Sequence, residues 1–194
     1  GCNLANKICL ENKIPTLFVS LEMSGDALCR RLLSSNQKVD MGALKRGDLS
    51  ESDFAKTATF NKILKNSPLF IRESFKGMTG SEVAAVVRRY VKLHGVKFVV
   101  LDYLQKLRSD SKQEKRTYEV AEASGALVDV TRDTGVAFLC LAQLNRESDK
   151  DKGRQPRPSD LADSGQIERD ADNVLLLHRD RVNPEQAKII VGKQ

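Results

Sequence analysis

The chain has 194 residues, enough for one domain with a substantial core and too few for two ordinary ones. Apolar residues make up 40% of it, yet no run approaches the length of a membrane span, and the opening Gly1-Cys2-Asn3-Leu4 has neither the basic start nor the apolar stretch of a signal peptide. Lys and Arg exceed Asp and Glu by 32 − 26 = 6, a balance compatible with a polyanionic partner that does not demand one. Four cysteines (Cys2, Cys9, Cys29, Cys140) stand singly with no CxxC pair. That spacing fits neither zinc nor a disulfide framework and points to a reducing cytosol. The sequence does not open on methionine, so residues upstream are expected to have been removed or left out.

In chain order, Thr16-Leu17-Phe18-Val19-Ser20 is the first expected strand, and Ser24-Gly25-Asp26 then reads as a helix start. Ser50-Glu51-Ser52-Asp53 opens a second helix over about 50–67, followed by a strand at Pro68-Leu69-Phe70-Ile71. Val83, Val86, Val87, Tyr90 and Val91 form one stripe of a helix over roughly 79–94. Phe98-Val99-Val100-Leu101 is a continuous apolar run, as expected of a strand buried on both faces. Val120, Ala123, Leu127 and Val130 mark a helix over roughly 117–133, and Val136–Leu141 is a second fully apolar run. Strands at Asn173–Leu177 and Lys188–Val191 complete the set. The alternation predicts an α/β fold, a mainly parallel twisted sheet with helices on both faces. No internal repeat or low-complexity tract is present.

Two polar stretches break the rhythm, 106–116 (KLRSDSKQEKR) and 146–159 (RESDKDKGRQPRPS), each directly after an expected strand. Loops beyond the carboxyl ends of strands are where open α/β sheets bind ligands, although solvated surface loops have the same composition.

Leu101-Asp102 closes an apolar strand on a carboxylate, as a Walker B strand does, and such a carboxylate can hold Mg²⁺ directly or through water. An aspartate that merely starts a turn would look the same. Glu22 ends the first strand in similar fashion, where it could orient and deprotonate a water beside a metal-bound nucleotide, or serve as a helix-entry charge. Gln143 and Asn145 end a third strand, where an amide could sense a γ-phosphate.

The wording of these segments resembles one family. Phe18-Val19-Ser20-Leu21-Glu22-Met23-Ser24 resembles the FSLEMS segment of DnaB-type hexameric replicative helicases, and Leu101-Asp102-Tyr103-Leu104-Gln105 their DYLQ Walker B signature. Leu141-Ala142-Gln143-Leu144-Asn145-Arg146 is similar to their LSQLNR motif, and the stretch from Pro158 to Asp172 resembles their DLRESGSIEQDAD stretch. Val191-Gly192-Lys193-Gln194 is similar to the start of AKQRNG. Order and spacing match from end to end, so the resemblance spans residues 1–194 and implies a RecA-like motor domain.

The resemblance implies ATP and Mg²⁺ as cofactors, with Asp102 as the metal ligand, Glu22 as the group that activates water, and Gln143 as the γ-phosphate reader that relays nucleotide state to the DNA loops. It implies that Lys193 reaches a γ-phosphate held by the neighbouring subunit of a homo-hexameric ring. The two basic loops would track single-stranded DNA through Arg108, Lys112, Lys115 and Arg116, and through Lys152, Arg154 and Arg157, with Asp163 and Gly165 at the DNA backbone. Primase and a helicase loader are the implied protein partners, 5′→3′ unwinding the implied activity, and the cytoplasm the implied location, with no membrane. Three departures stand out. No GxxxxGK[ST] occurs, and that loop would stand just before Gly1, whose helix (Gly1–Glu11) looks like the one that follows it. The domain is therefore expected to be truncated after the Walker A loop and before its end, and this fragment alone to hydrolyse ATP poorly. Ala162 stands where the family usually has arginine. Tyr103 and Gln105 are expected simply to pack the strand end, and Ser164 to be a turn residue. Two alternatives remain: another RecA-like ATPase such as a recombinase or circadian-clock ATPase, and a non-catalytic DNA- or ring-binding module.

Overall fold

The computed structural model describes residues 1–110, 116–145, 154–161, 165–179 and 186–194, with Arg116 described in its backbone only. Lys112, Lys115, Lys152 and Asp163 lie outside the described residues.

Four parallel strands form the main sheet: β1 (Thr16–Ser20), β2 (Leu69–Glu73), β3 (Phe98–Asp102) and β4 (Ala137–Cys140), in the order β2-β1-β3-β4. β1 and β3 are central and almost wholly buried, which is why their sequences are continuously apolar rather than alternating. Their side chains alternate between two cores. Leu17, Val19, Val99 and Leu101 pack on one face with α5 (Gly80–His94) and α6 (Arg116–Thr134). Phe18 and Val100 pack on the other with α1 (Cys2–Ala5), α2 (Gly25–Gln37) and Phe60 of α4 (Glu51–Lys65). The expected architecture of a parallel sheet with helices on both faces is thus present.

Local chemistry explains the boundaries. Ser24 caps α2 through the N–H of Ala27, and Ser50 and Thr79 open α4 and α5 with reciprocal capping boxes. Gly80 permits close helix packing: a Cβ there would lie 2.8 Å from the Cα of Ala123. The expected Gly1–Glu11 helix is α-helical only to Ala5 and then runs on as a π-helix, Asn6–Glu11, whose Asn12 N–H reaches the Lys7 carbonyl. A short helix, α3 (Met41–Arg46), capped by Asp40, is a further element that the periodicity did not reveal.

The last elements are α7 (Gly165–Asp170) and an antiparallel hairpin of β5 (Val174–Arg179) and β6 (Ala187–Lys193). Val174, Leu176 and Ile190 face the α5–α6 core. The cross-strand pairs Leu175–Val191 and Leu177–Ile189 lie exposed on the opposite face.

Candidate functional site

Parallel pairing sets β1 and β3 in register, Ser20 opposite Asp102, and the Leu21 N–H donates to the Asp102 carbonyl at 2.8 Å. Both chains therefore leave the sheet at the same level and carry Glu22 and Asp102 to one edge. Asp102 is half-buried and Glu22 exposed. Burial holds the Asp102 carboxyl above the ordinary carboxylate range; the neighbouring Glu22 raises it and Arg31 of α2 lowers it. A partly desolvated carboxylate with an acidic neighbour is a group that a cation would stabilise. The Asp102–Tyr103 peptide is cis.

The turn that carries Glu22 is tied on three sides. Ser20 Oγ donates to the Met23 carbonyl at 2.8 Å and accepts the Met23 N–H at 3.2 Å. Ser24 caps α2, and Glu73, at the tip of β2, accepts the Gly25 N–H. Sequence reasoning missed Glu73, since only the β1–β2 register reveals its nearness to α2.

Gln143 lies beyond β4, exposed, on a segment bonded to the residues after β3. The Leu104 N–H donates to the Leu141 carbonyl at 2.9 Å. The Gln105 side chain then donates to the Gln143 carbonyl at 3.2 Å and accepts the Gln143 N–H at 3.1 Å. Gln105, read from sequence as simple packing, thus grips the backbone of Gln143. One signal for it was the polar side chain just past an apolar strand; its partner, 38 residues away, was not legible.

Lys193 is not placed with these groups. Its ammonium donates to the carbonyls of Glu168 at 2.8 Å and Arg169 at 3.2 Å, at the carboxyl end of α7. That is the helix end where positive charge is stabilising.

Of the basic residues singled out, Arg108 is exposed and stands 3.7 Å from Glu82, while its backbone bridges Thr79. Such a surface pair holds a side chain only loosely. Arg116 opens α6 and Gly165 opens α7. Arg154 is committed to Asp160 at 2.8 Å, and Asp160 also accepts the Arg157 N–H at 2.8 Å. Those two donors, Arg154 first, hold the Asp160 carboxyl below its ordinary range. The Arg157 side chain is exposed.

These residues fit part of a metal-nucleotide site. Mg²⁺ bound to a nucleotide takes one or two carboxylates and otherwise uses phosphate and water, and Asp102 with Glu22 beside it meets that need. Among the described residues no group of three or more His, Cys, Asp or Glu could hold a metal alone. A phosphate cradle of the GxxxxGK[ST] kind is not among the 194 residues.

The profile of the DnaB-like helicase C-terminal domain matches residues 1–194, the whole chain. The chain belongs to that family. Within it, the replicative DNA helicase DnaB of Buchnera aphidicola subsp. Baizongia pistaciae (strain Bp) is 34% identical over 200 residues, covering 99% of this chain and 43% of that protein. The replicative DNA helicase DnaB of Leifsonia xyli subsp. xyli (strain CTCB07) is 36% identical over 197 residues, covering 98% and 43%. Among solved structures, an ATPase domain superposes with a TM-score of 0.86 at 26% identity, covering 95% of this chain and 68% of that one. A DnaB-like replicative helicase, solved for its structure and its interactions with primase, gives 0.85 at 26% identity, covering 95% and 46%. The RecA-like fold expected for a DnaB-type chain is thereby established. The chain spans less than half the length of those DnaB relatives. Among the described residues no helix is long and apolar enough to cross a membrane.

Proposed function

We propose that this chain is the motor part of an ATP-driven replicative DNA helicase that moves 5′→3′ on single-stranded DNA in the cytoplasm. The observation that carries the reading is the pairing of β1 and β3, which delivers Glu22 and a partly desolvated Asp102 to one sheet edge. Asp102 would hold the Mg²⁺ of ATP, a metal that neutralises charge developing on the transferred phosphoryl group. Glu22, exposed beside it, would accept a proton from the attacking water. Gln143 would read the γ-phosphate. Lys193 would approach from the neighbouring subunit of a homo-hexameric ring.

DNA would lie against the segments after β3 and β4, on Arg108, Lys112, Lys115 and Arg116 and on Lys152, Arg154 and Arg157, with Asp163 and Gly165 near its backbone. Phosphate contacts dominate such binding, which is therefore salt-dependent and tolerant of sequence. A primase and a helicase loader are the partners this reading assigns. The GxxxxGK[ST] phosphate cradle is not among these residues.

The test is Glu22→Gln in the full-length parent protein. The amide keeps the shape but cannot take a proton, so hydrolysis should fall by about 10²–10⁴-fold, the usual worth of a general base. Nucleotide binding should stay within twofold by direct titration. Near-parental turnover would move the catalytic role away from Glu22.

A further inference from the structure

β3 and β4 run side by side until their ladder ends. Its last rungs are the Leu141 N–H on the Leu101 carbonyl at 3.0 Å and the Leu104 N–H on the Leu141 carbonyl at 2.9 Å. The next link is made by a side chain. A carboxamide carries the same donor and acceptor as a peptide unit, and Gln105 uses both, bonding the N–H and the carbonyl of one residue, Gln143. Fixing both backbone groups of a residue restrains its φ and ψ. The exposed Gln143 side chain therefore leaves a backbone whose direction Gln105 sets.

The connection continues past Gln143. Leu144 makes an antiparallel bridge with the buried Leu161, and the Asn145 N–H donates to the Asp160 carbonyl at 2.7 Å. The Asp160 carboxylate in turn gathers the Arg154 guanidinium and the Arg157 N–H. Hydrogen bonds and the short stretches of backbone between them thus join the residues after Asp102 to the base of the second basic loop, and Gln105 supplies a side-chain rung onto Gln143.

We propose that Gln105 is a positioning residue that couples the metal-ligand strand to the arginine-bearing turn by holding the Gln143 backbone. The proposal rests on the helicase reading above and assigns to it a coupling residue. A displacement of the β3 end would be passed to residues 143–145 through two parallel bonds that oppose shear. Without them, nucleotide and DNA could each still bind, but binding of one would bias the other less.

The test uses the full-length parent protein with Gln105→Met, which keeps length and bulk but makes neither bond. Gln105→Glu serves as a second variant: one oxygen can still accept the Gln143 N–H, while the other opposes the Gln143 carbonyl. Steady-state ATP hydrolysis is measured with and without single-stranded DNA, and hydrogen exchange over residues 141–145 by mass spectrometry. In both variants the stimulation of kcat by DNA should fall by about fivefold or more, within the usual range of coupling between sites. KM for ATP and Kd for DNA should stay within twofold, and exchange at 141–145 should quicken. Full stimulation in both variants would overturn the proposal, as would a loss matched by an equal loss of ATP binding. If the unsubstituted protein showed no DNA-stimulated hydrolysis, the helicase reading itself would fall, and unchanged exchange in the variants would separately remove the Gln105 link.

Discussion

Asp102 stands half-buried at the end of β3, its carboxyl held above the ordinary range by burial and by the neighbouring Glu22. Its position was legible, because a run of four apolar residues closing on an aspartate leaves few other ways to end a buried strand. Its electrostatics were not, since burial and the neighbouring Glu22 depend on how β1 and β3 pair. A carboxyl that holds its proton more tightly folded than unfolded costs stability above its ordinary value of 3.8, and the cost disappears as the pH falls below that value. Replacing Asp102 by Asn is therefore expected to raise the Tm of this chain at pH 7, with the gain shrinking as the pH is brought towards 4. In the parent protein the same change should abolish Mg²⁺-dependent nucleotide binding. Thermal melts at both pH values check the first expectation, and a Tm unchanged or lowered at pH 7 would show that Asp102 makes contacts that repay its burial. Gln105 is the opposite case. Nothing in residues 101–105 says that its amide will meet residue 143, because that meeting depends on the β3–β4 register.

Elements were legible where they carry their own punctuation. α4 and α5 begin where Ser50 and Thr79 allow reciprocal caps, and both lie within a residue or two of their expected spans. α3, six residues long, is too short for any periodicity to register. The turn from Arg154 to Leu161 was read only as a basic loop, and its internal chemistry changes what its arginines can do. Arg154 and Arg157 look equivalent in sequence, yet Arg154 closes on Asp160 while the Arg157 side chain is exposed. If both act on DNA, Arg157→Ala in the parent protein should flatten the slope of log K against log salt by about 0.7, the share of one phosphate contact on a single strand. Arg154→Ala should instead loosen the turn, weakening DNA binding with a smaller change in slope. It should also let the Asp160 carboxyl return towards its ordinary range, since Arg154 is the first cause of its lowering. Fluorescence titrations at several salt concentrations compare the two. Equal slope changes would mean that the Arg154–Asp160 pair opens when DNA binds.

At the scale of the molecule, alternating strands and helices sufficed to predict a parallel sheet covered on both faces. The separate pairing of β5 with β6 depends on non-local register, which the alternation does not encode. That hairpin determines where Lys193 lies. Gly192 packs so closely on Pro158 that a Cβ would stand 2.8 Å from its Cγ, and the adjacent Lys193 ammonium rests on the last carbonyls of α7. Within its own chain Lys193 thus serves a helix end. The proposal that it acts in trans has a direct test by subunit mixing. In the full-length parent protein, Glu22→Gln and Lys193→Ala subunits should each be inactive alone. Where a Lys193→Ala subunit holds the nucleotide and a Glu22→Gln subunit supplies the lysine, the interface is complete. Random equal mixing in a symmetric ring makes roughly a quarter of interfaces of that kind, so hydrolysis should rise well above that of either variant. If Lys193 acted within its own subunit, every interface would lack one of the two groups and mixing would restore nothing.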